Sequence, residues 1–205
     1  MHKIITISRE FGSGGRELGK RLAEELGIPC YDHQIIEMIA KENGFDERYV
    51  ANVSEKSIEA AYPMTIGHRF AMPSMEIMEQ PIRVAAAQRQ IIENFAKQGD
   101  CVIIGRCADY LLRERENVIR CYIFAPYQAR IRNSILTLGL ATAEPQRIIE
   151  EVDKARAEYY RSHTGCEVNN TRYRDLFLNS NLLGVEGTAD LIVDAVRRKF
   201  GLEAP

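Results

Sequence analysis

The chain has 205 residues, of which 45% are hydrophobic and 27% charged, and its 27 Lys and Arg against 29 Asp and Glu leave a net charge of −2. Such a chain can bury a full core, so it is neither a disordered tail nor a disulfide miniprotein. Its charge balance excludes general nucleic-acid binding by bulk electrostatics, so any anion site must come from local placement of arginine. No apolar run approaches the roughly 20 residues of a membrane helix, and the opening stretch before Arg9 is too short for a signal-peptide core. Cys30, Cys101, Cys107, Cys121 and Cys166 are odd in number and form no C-x-x-C pair. They read as reduced thiols in a cytoplasmic protein.

Lys3 to Ser8 is apolar and β-branched, which predicts a buried strand. A glycine-rich turn follows, Arg9-Glu10-Phe11-Gly12-Ser13-Gly14-Gly15. Leu18, Leu22 and Leu26 then mark one helix face, and Gly27 stands where that helix should stop. Ile28 to Tyr31 reads as a short second strand, and Asp32 as the cap of a helix carrying Ile35, Ile36 and Ile39. Residues 44–82 read as short helices and loops outside the sheet. Met64, Met72, Met75 and Met78 there suit either an adaptable contact surface or an irregular lobe. A long helix is predicted from about Pro81 to Lys97.

Cys101 to Ile104 and Ile119 to Phe124 are apolar runs that read as central strands. One or two helical turns are expected over Ala108 to Arg113, and helices over Ala129 to Leu140 and from about Pro145 to Arg161. Asp175 to Asn179 is a fifth strand candidate, and Gly187 to Phe200 a closing amphipathic helix. Five short apolar strands alternating with helices predict a parallel α/β sheet, whose ligands bind beyond the carboxyl ends of the strands. The glycine loop, Arg106 and Asn179-Ser180 all fall there.

A strand that enters a glycine loop opening a helix is suited to phosphate. Glycine allows close backbone approach, and the helix N-terminus adds positive dipole. The dinucleotide pattern G-x-G-x-x-G fails at Glu17. The Walker pattern G-x-x-x-x-G-K-[ST] fits in length from Arg9 to Arg16, but Gly15 takes the lysine position and Arg16 the hydroxyl position. A second register, ending at Gly19-Lys20, lies more than a turn inside the helix and is set aside.

The run Ile5 to Glu17, followed by Leu22-Ala23 and Leu26-Gly27, resembles the start of bacterial cytidylate kinases, in their divergent cytidylate-kinase-like branch. The likeness resumes at Val102-Ile103-Ile104-Gly105-Arg106, at Ala125-Pro126 with Arg130, and at Asp175-Leu176 with Asn179-Ser180, Leu183-Gly184 and Glu186. It covers roughly residues 3–45 and 100–200. The resemblance implies a P-loop three-layer α/β/α fold: a single domain over 1–205 with a five-stranded parallel sheet. An inserted acceptor lobe would occupy 44–98, and a helical lid 126–172.

It also implies transfer of the ATP γ-phosphoryl, with Mg²⁺, to CMP or dCMP. Gly12, Ser13, Gly14, Gly15, Arg16 and Glu17 would form the phosphate-binding loop, and Arg106 would hold the acceptor phosphate. Arg130 and Arg132 would belong to the lid. Lys154, Arg156 and Arg161 would be candidates to reach the transferring phosphoryl, with Arg16 a substitute for the missing lysine. No residue stands out as a metal ligand; Ser8, Ser13 or Asp109 would have to replace the Walker hydroxyl. The expected partners are small-molecule nucleotides, not nucleic acid or membrane, and the sequence does not fix the oligomeric state. Two other readings stay open: a nucleotide-binding module without transfer, favoured by Gly15 and Arg16, and a kinase for another small acceptor. One of Tyr159 and Tyr160 is expected in the core, because adjacent helix positions diverge by about 100°. His33, His68 and His163 show no metal-ligand spacing.

Overall fold

The computed structural model describes residues 2–44, 47, 50, 75–138 and 145–201, without the side chains of 75–80 and 137–138. Five strands form one parallel sheet: β1 (Ile4–Arg9), β2 (Cys30–Tyr31), β3 (Cys101–Ile104), β4 (Val118–Phe124) and β5 (Leu176–Asn179). Their order is β2-β3-β1-β4-β5. Ile7 pairs with Ile104 on one side and Cys121 on the other, so β1 is the central strand and its end lies beside the end of β3. The helices are α1 (Gly15–Leu26), α2 (Gln34–Asn43), α3 (Met75–Gln98), α4 (Ala108–Leu111), α5 (Tyr127–Leu138), α6 (Pro145–Thr164) and α7 (Ser180–Phe200).

The period-2 geometry of strands sorts the apolar residues into two layers of core. Ile4, Cys101, Ile103 and Val118 face α2 and α3, where Ile35, Ile39, Val84, Ile91, Ile92 and Phe95 cover them. Ile5, Ile7, Val102, Ile104, Cys121 and Ile123 face Leu18 and Leu22 of α1 and Ile192 and Val196 of α7. Each such isoleucine contributes roughly 1.5–3 kcal/mol by leaving water. Gly19 fits α1 to the sheet. A Cβ there would lie 2.7 Å from Ile104 Cδ1, so alanine would force that buried side chain or the helix to shift. That packing duty, not phosphate binding, accounts for the Gly19-Lys20 register.

Several expectations need correction. The helix predicted from Pro81 begins at Met75 and runs through the proline. An interior proline costs about 3 kcal/mol, and the buried face of Val84, Ile91, Ile92 and Phe95 offsets it. Asp32 does not cap α2. The N-cap is His33, without a side-chain cap bond, while the Asp32 carboxylate accepts from Arg16. Tyr159 and Tyr160 are both buried, because α6 is covered on two sides: Tyr159 by α3 and Tyr160 by Asp109. The last helix starts at Ser180, with one turn ahead of Gly184, whose φ of 70° and extended ψ break the helix before it resumes. The lobe expected at 44–98 is described only in part. Most of 45–74 lies outside the described residues, including Met64, His68 and Met72, whereas α3 belongs to the main core. All five cysteines are unpaired thiols, and Cys101, Cys107 and Cys121 are buried. Among the described residues, no helix is long and apolar enough to cross a membrane.

Candidate active site

The loop after β1 is built on glycine by necessity. Gly12 and Gly14 have φ of 74° and 76°, a left-handed region costly for other residues. A Cβ on Gly12 would lie 2.6 Å from the Arg130 carbonyl oxygen, and one on Gly14 2.9 Å from Val185 Cγ2. Gly14 is the N-cap of α1, and no side chain caps it. The first-turn amides of α1 are therefore left for solvent or an anion.

Five polar contacts from other elements fix the loop. Ser180 Oγ donates to the Ser13 carbonyl at 2.6 Å, and Asn133 Nδ2 to the Gly12 carbonyl at 3.0 Å. The Phe11 amide donates to Asp153 Oδ1 at 2.8 Å. Arg130 Nε donates to the Phe11 carbonyl at 2.7 Å, and its Nη1 lies 3.4 Å from Glu10 Oε2. The other end of that guanidinium pairs with Asp153. The loop is thus held before any ligand arrives, which is what positioning of a phosphate requires.

A cleft of about 430 Å³ opens over the loop, lined by Gly12 to Glu17 and by the side chains of Arg9, Arg16, Asp32, Arg106 and Arg156. A second cleft of about 260 Å³ lies between the strand ends and α6, walled by Ser8, Cys107, Val152, Tyr159 and Tyr160. Arg9, Arg106 and Arg156 line both. Two clefts therefore meet at three shared arginines.

Arg106 reaches that junction on strained backbone: it and Cys107 have φ of 56° and 55°. A left-handed non-glycine residue costs roughly 1–2 kcal/mol. The turn is held by buried Gln88, which donates to the Arg106 carbonyl at 3.1 Å and accepts from Tyr159 Oη at 2.9 Å. Burial pushes the Cys107 thiol and the Tyr159 hydroxyl well above their ordinary range. Neither offers an ionised nucleophile, and phosphoryl transfer needs none.

The structure distributes the predicted residues unevenly. Gly12, Ser13, Gly14, Gly15, Arg16, Glu17, Arg106 and Arg156 come together around the first cleft. Arg156 stands over the Phe11 ring at 5.7 Å and reaches the Arg9 carbonyl. Arg16 is drawn to one wall by Asp32, at 2.6 Å. Arg130 is buried beneath the loop rather than in the cleft. Arg132 is exposed. Lys154, 78% exposed, lies near Glu158, and Arg161 pairs with Glu167 at 2.8 Å. None of these last three lines either cleft.

The candidate metal substitutes make contacts within the protein. Ser13 Oγ donates to the Glu10 carbonyl at 2.9 Å, and Ser8 Oγ to Asp109 Oδ2 at 3.2 Å. Asp109 is fully buried against Arg174, at 3.0 Å, and also accepts from Tyr160. Separately, exposed His33 gathers Glu37 and Glu47, with ligand atoms all within 4.8 Å of one another. The His33–Glu37 spacing of four on α2 was the signal for that cluster. Sequence reading also missed Arg174, Gln88 and Asp153, which act through contacts far away in the chain.

The chain matches the cytidylate kinase-like family over residues 4–182. It belongs to that family. The cytidylate kinase of Pyrococcus horikoshii is 26% identical over 194 residues, covering 94% of this chain and 88% of that protein. The cytidylate kinase of Methanopyrus kandleri is 23% identical over 211 residues, covering 98% and 97%. Among solved structures, an uncharacterised protein from Eubacterium ventriosum superposes with a TM-score of 0.70 at 23% identity, covering 95% of this chain and 98% of that one. Shikimate kinase from Bacteroides thetaiotaomicron gives 0.55 at 13%, covering 96% and 99%. These likenesses establish the three-layer α/β/α P-loop fold for this cytidylate kinase-like chain.

Proposed function

We propose that the protein is a nucleoside monophosphate kinase that moves the γ-phosphoryl of MgATP to CMP or dCMP. The observation that carries this reading is the pair of clefts meeting at shared arginines beside the glycine loop. A module that only held a nucleotide would need one anion site, whereas transfer needs a donor and an acceptor phosphate face to face. Magnesium would enter with ATP as part of the substrate and would neutralise charge on its phosphates.

The backbone amides of Gly12 to Gly15 hold the donor β-phosphate. Arg106 and Arg156 grip the acceptor phosphate, since a guanidinium can give it two parallel hydrogen bonds. An acceptor oxygen attacks the γ-phosphorus in line, and the bond to the β-phosphate oxygen breaks as ADP leaves. The protein contributes position and charge. Arg16 completes the loop's cationic rim, and Arg130 acts through the loop it holds. No role is assigned to Arg132, Lys154 or Arg161. The acceptor lobe is assigned within 44–98 apart from the core helix α3, and the lid within 126–172, where it would exclude water. A reaction drawing on ATP and CMP belongs in the cytoplasm.

The test is a product-resolved assay with MgATP and CMP, dCMP, UMP, AMP and GMP as acceptors. Diphosphate formed fastest from CMP or dCMP is the expected result. Nucleotide binding without any diphosphate would replace this reading with the non-transferring module.

A further inference from the structure

Gly15 stands where a Walker loop carries lysine, and Arg9 stands where it carries its first glycine. The space of the missing lysine stem is filled. A Cβ built on Gly15 would lie 2.6 Å from Arg9 Cβ and 3.1 Å from Arg9 Cγ, so the two stems would start from nearly one point. The Arg9 side chain then crosses to β3. A Cβ on Gly105 would collide with Arg9 Nη1 and lie 3.4 Å from its Cζ. Gly105 also has a φ of 72°, so both its backbone and its bare α-carbon suit the guanidinium beside it. Arg9 lines both clefts. The small and the cationic residue have exchanged ends of the loop, and the cation still arrives from the same place.

We propose that Arg9 is the catalytic cation that replaces the Walker lysine on the donor phosphates. The proposal deepens the kinase reading and rests on it for the transfer step. In that step one bond forms from the acceptor oxygen to the γ-phosphorus. The bond to the β-phosphate oxygen breaks, and its electron pair leaves with ADP. Arg9 donates hydrogen bonds to the oxygens gaining charge and neither gives nor takes a proton, because arginine stays charged at every working pH. Arg16, the other cation of the loop, is held at the far wall by Asp32.

The test uses Arg9→Met, which keeps the stem and removes the charge, together with Gly15→Lys and the double change Arg9→Gly/Gly15→Lys. Turnover with the best acceptor and MgADP affinity by calorimetry are both read. The expected result for Arg9→Met is a fall in turnover of about 10³-fold and a loss of MgADP affinity of about tenfold or more. Gly15→Lys alone should be defective, since its stem meets Arg9. The double change, which restores the Walker arrangement, should recover at least about tenfold in turnover over Arg9→Met.

Arg9→Met with turnover and MgADP affinity within about threefold of the parent overturns the proposal, as does a fully active Gly15→Lys. If Arg9→Met fails to fold by circular dichroism, the double variant decides: folded with parental MgADP affinity supports the proposal, folded without binding overturns it. A parent that binds MgADP but phosphorylates no acceptor defeats the kinase reading alone. Arg9 is then judged on MgADP affinity, where loss on Arg9→Met supports its role on the phosphates and no change ends it.

Discussion

Arg16 Nε donates to Asp32 Oδ2 at 2.6 Å, joining the first turn of α1 to the end of β2 across the mouth of the main cleft. The Arg16 side chain is 53% exposed. Although the Asp32 side chain is only 15% exposed, water reaches the arginine side of the pair and screens it, so it contributes about 1 kcal/mol or less to stability. Asp32→Ala should therefore leave the urea midpoint almost unmoved. Arg16→Ala should lower turnover by about tenfold, the scale of one lost charge-assisted phosphate contact, and so by much less than Arg9→Met. A loss as deep as that of Arg9 would assign the lysine's work to Arg16.

Ser180→Ala removes the hydroxyl that bridges the Ser13 carbonyl, at 2.6 Å, and the Phe124 carbonyl, at 3.2 Å. The site is buried, so the one hydroxyl proton, held mainly by the nearer Ser13 carbonyl, is lost where water cannot easily replace it. A cost of about 1–2 kcal/mol is expected in urea unfolding, with weaker MgADP binding because the loop is released at one point. Ser180→Thr should recover part of each if its methyl is accommodated.

Arg174→Met should be the most destabilising of these changes. The Arg174 and Asp109 side chains are both 0% exposed, and Arg174 Nη1 also donates to the Asn170 carbonyl at 3.1 Å. Methionine would match the volume but strand a buried carboxylate, at a cost of about 3–5 kcal/mol. The double change Arg174→Met/Asp109→Asn should recover much of that loss, measured as the shift in urea midpoint.

Burial holds the His163 imidazole below its ordinary pKa of 6.5, although the Tyr159 carbonyl it contacts pulls the other way. The unfolded chain therefore takes up a proton that the folded chain resists. Stability linked to His163 is full above 6.5, declines as pH falls below it, and levels off beneath the folded pKa. Urea midpoints should drop between about pH 7 and pH 5, and His163→Gln should flatten that slope.

The sheet was legible because its strands are short apolar runs bounded by glycine, proline or charge; Cys101–Ile104 matches the predicted bounds at both ends. The glycine loop was legible because its chemistry is local. What escaped reading depends on distance. Asp32 looked like a cap because Arg16, its partner, is 16 residues away. Tyr159 meets Gln88 across 71 residues, and Arg174 meets Asp109 across β4. The route of Arg9 could not be read either, since only packing shows that Gly15 and Gly105 clear its path. Helix α3 defeated the local rule for proline because its buried face outweighs one lost hydrogen bond.

The central position of β1 has a consequence for how the chain comes off the ribosome. The glycine loop precedes its partners in the chain: β1 pairs with residues 101–104 and 118–123, and the loop is closed by Ser180, 167 residues after Ser13. Contacts of such sequence separation form late and slowly. A nascent chain can therefore carry the whole loop before the strands and the helix that fix it have emerged. On the proposed function, nucleotide binding would report that these distant contacts have formed, and a fragment ending before α7 should carry the loop's sequence without binding.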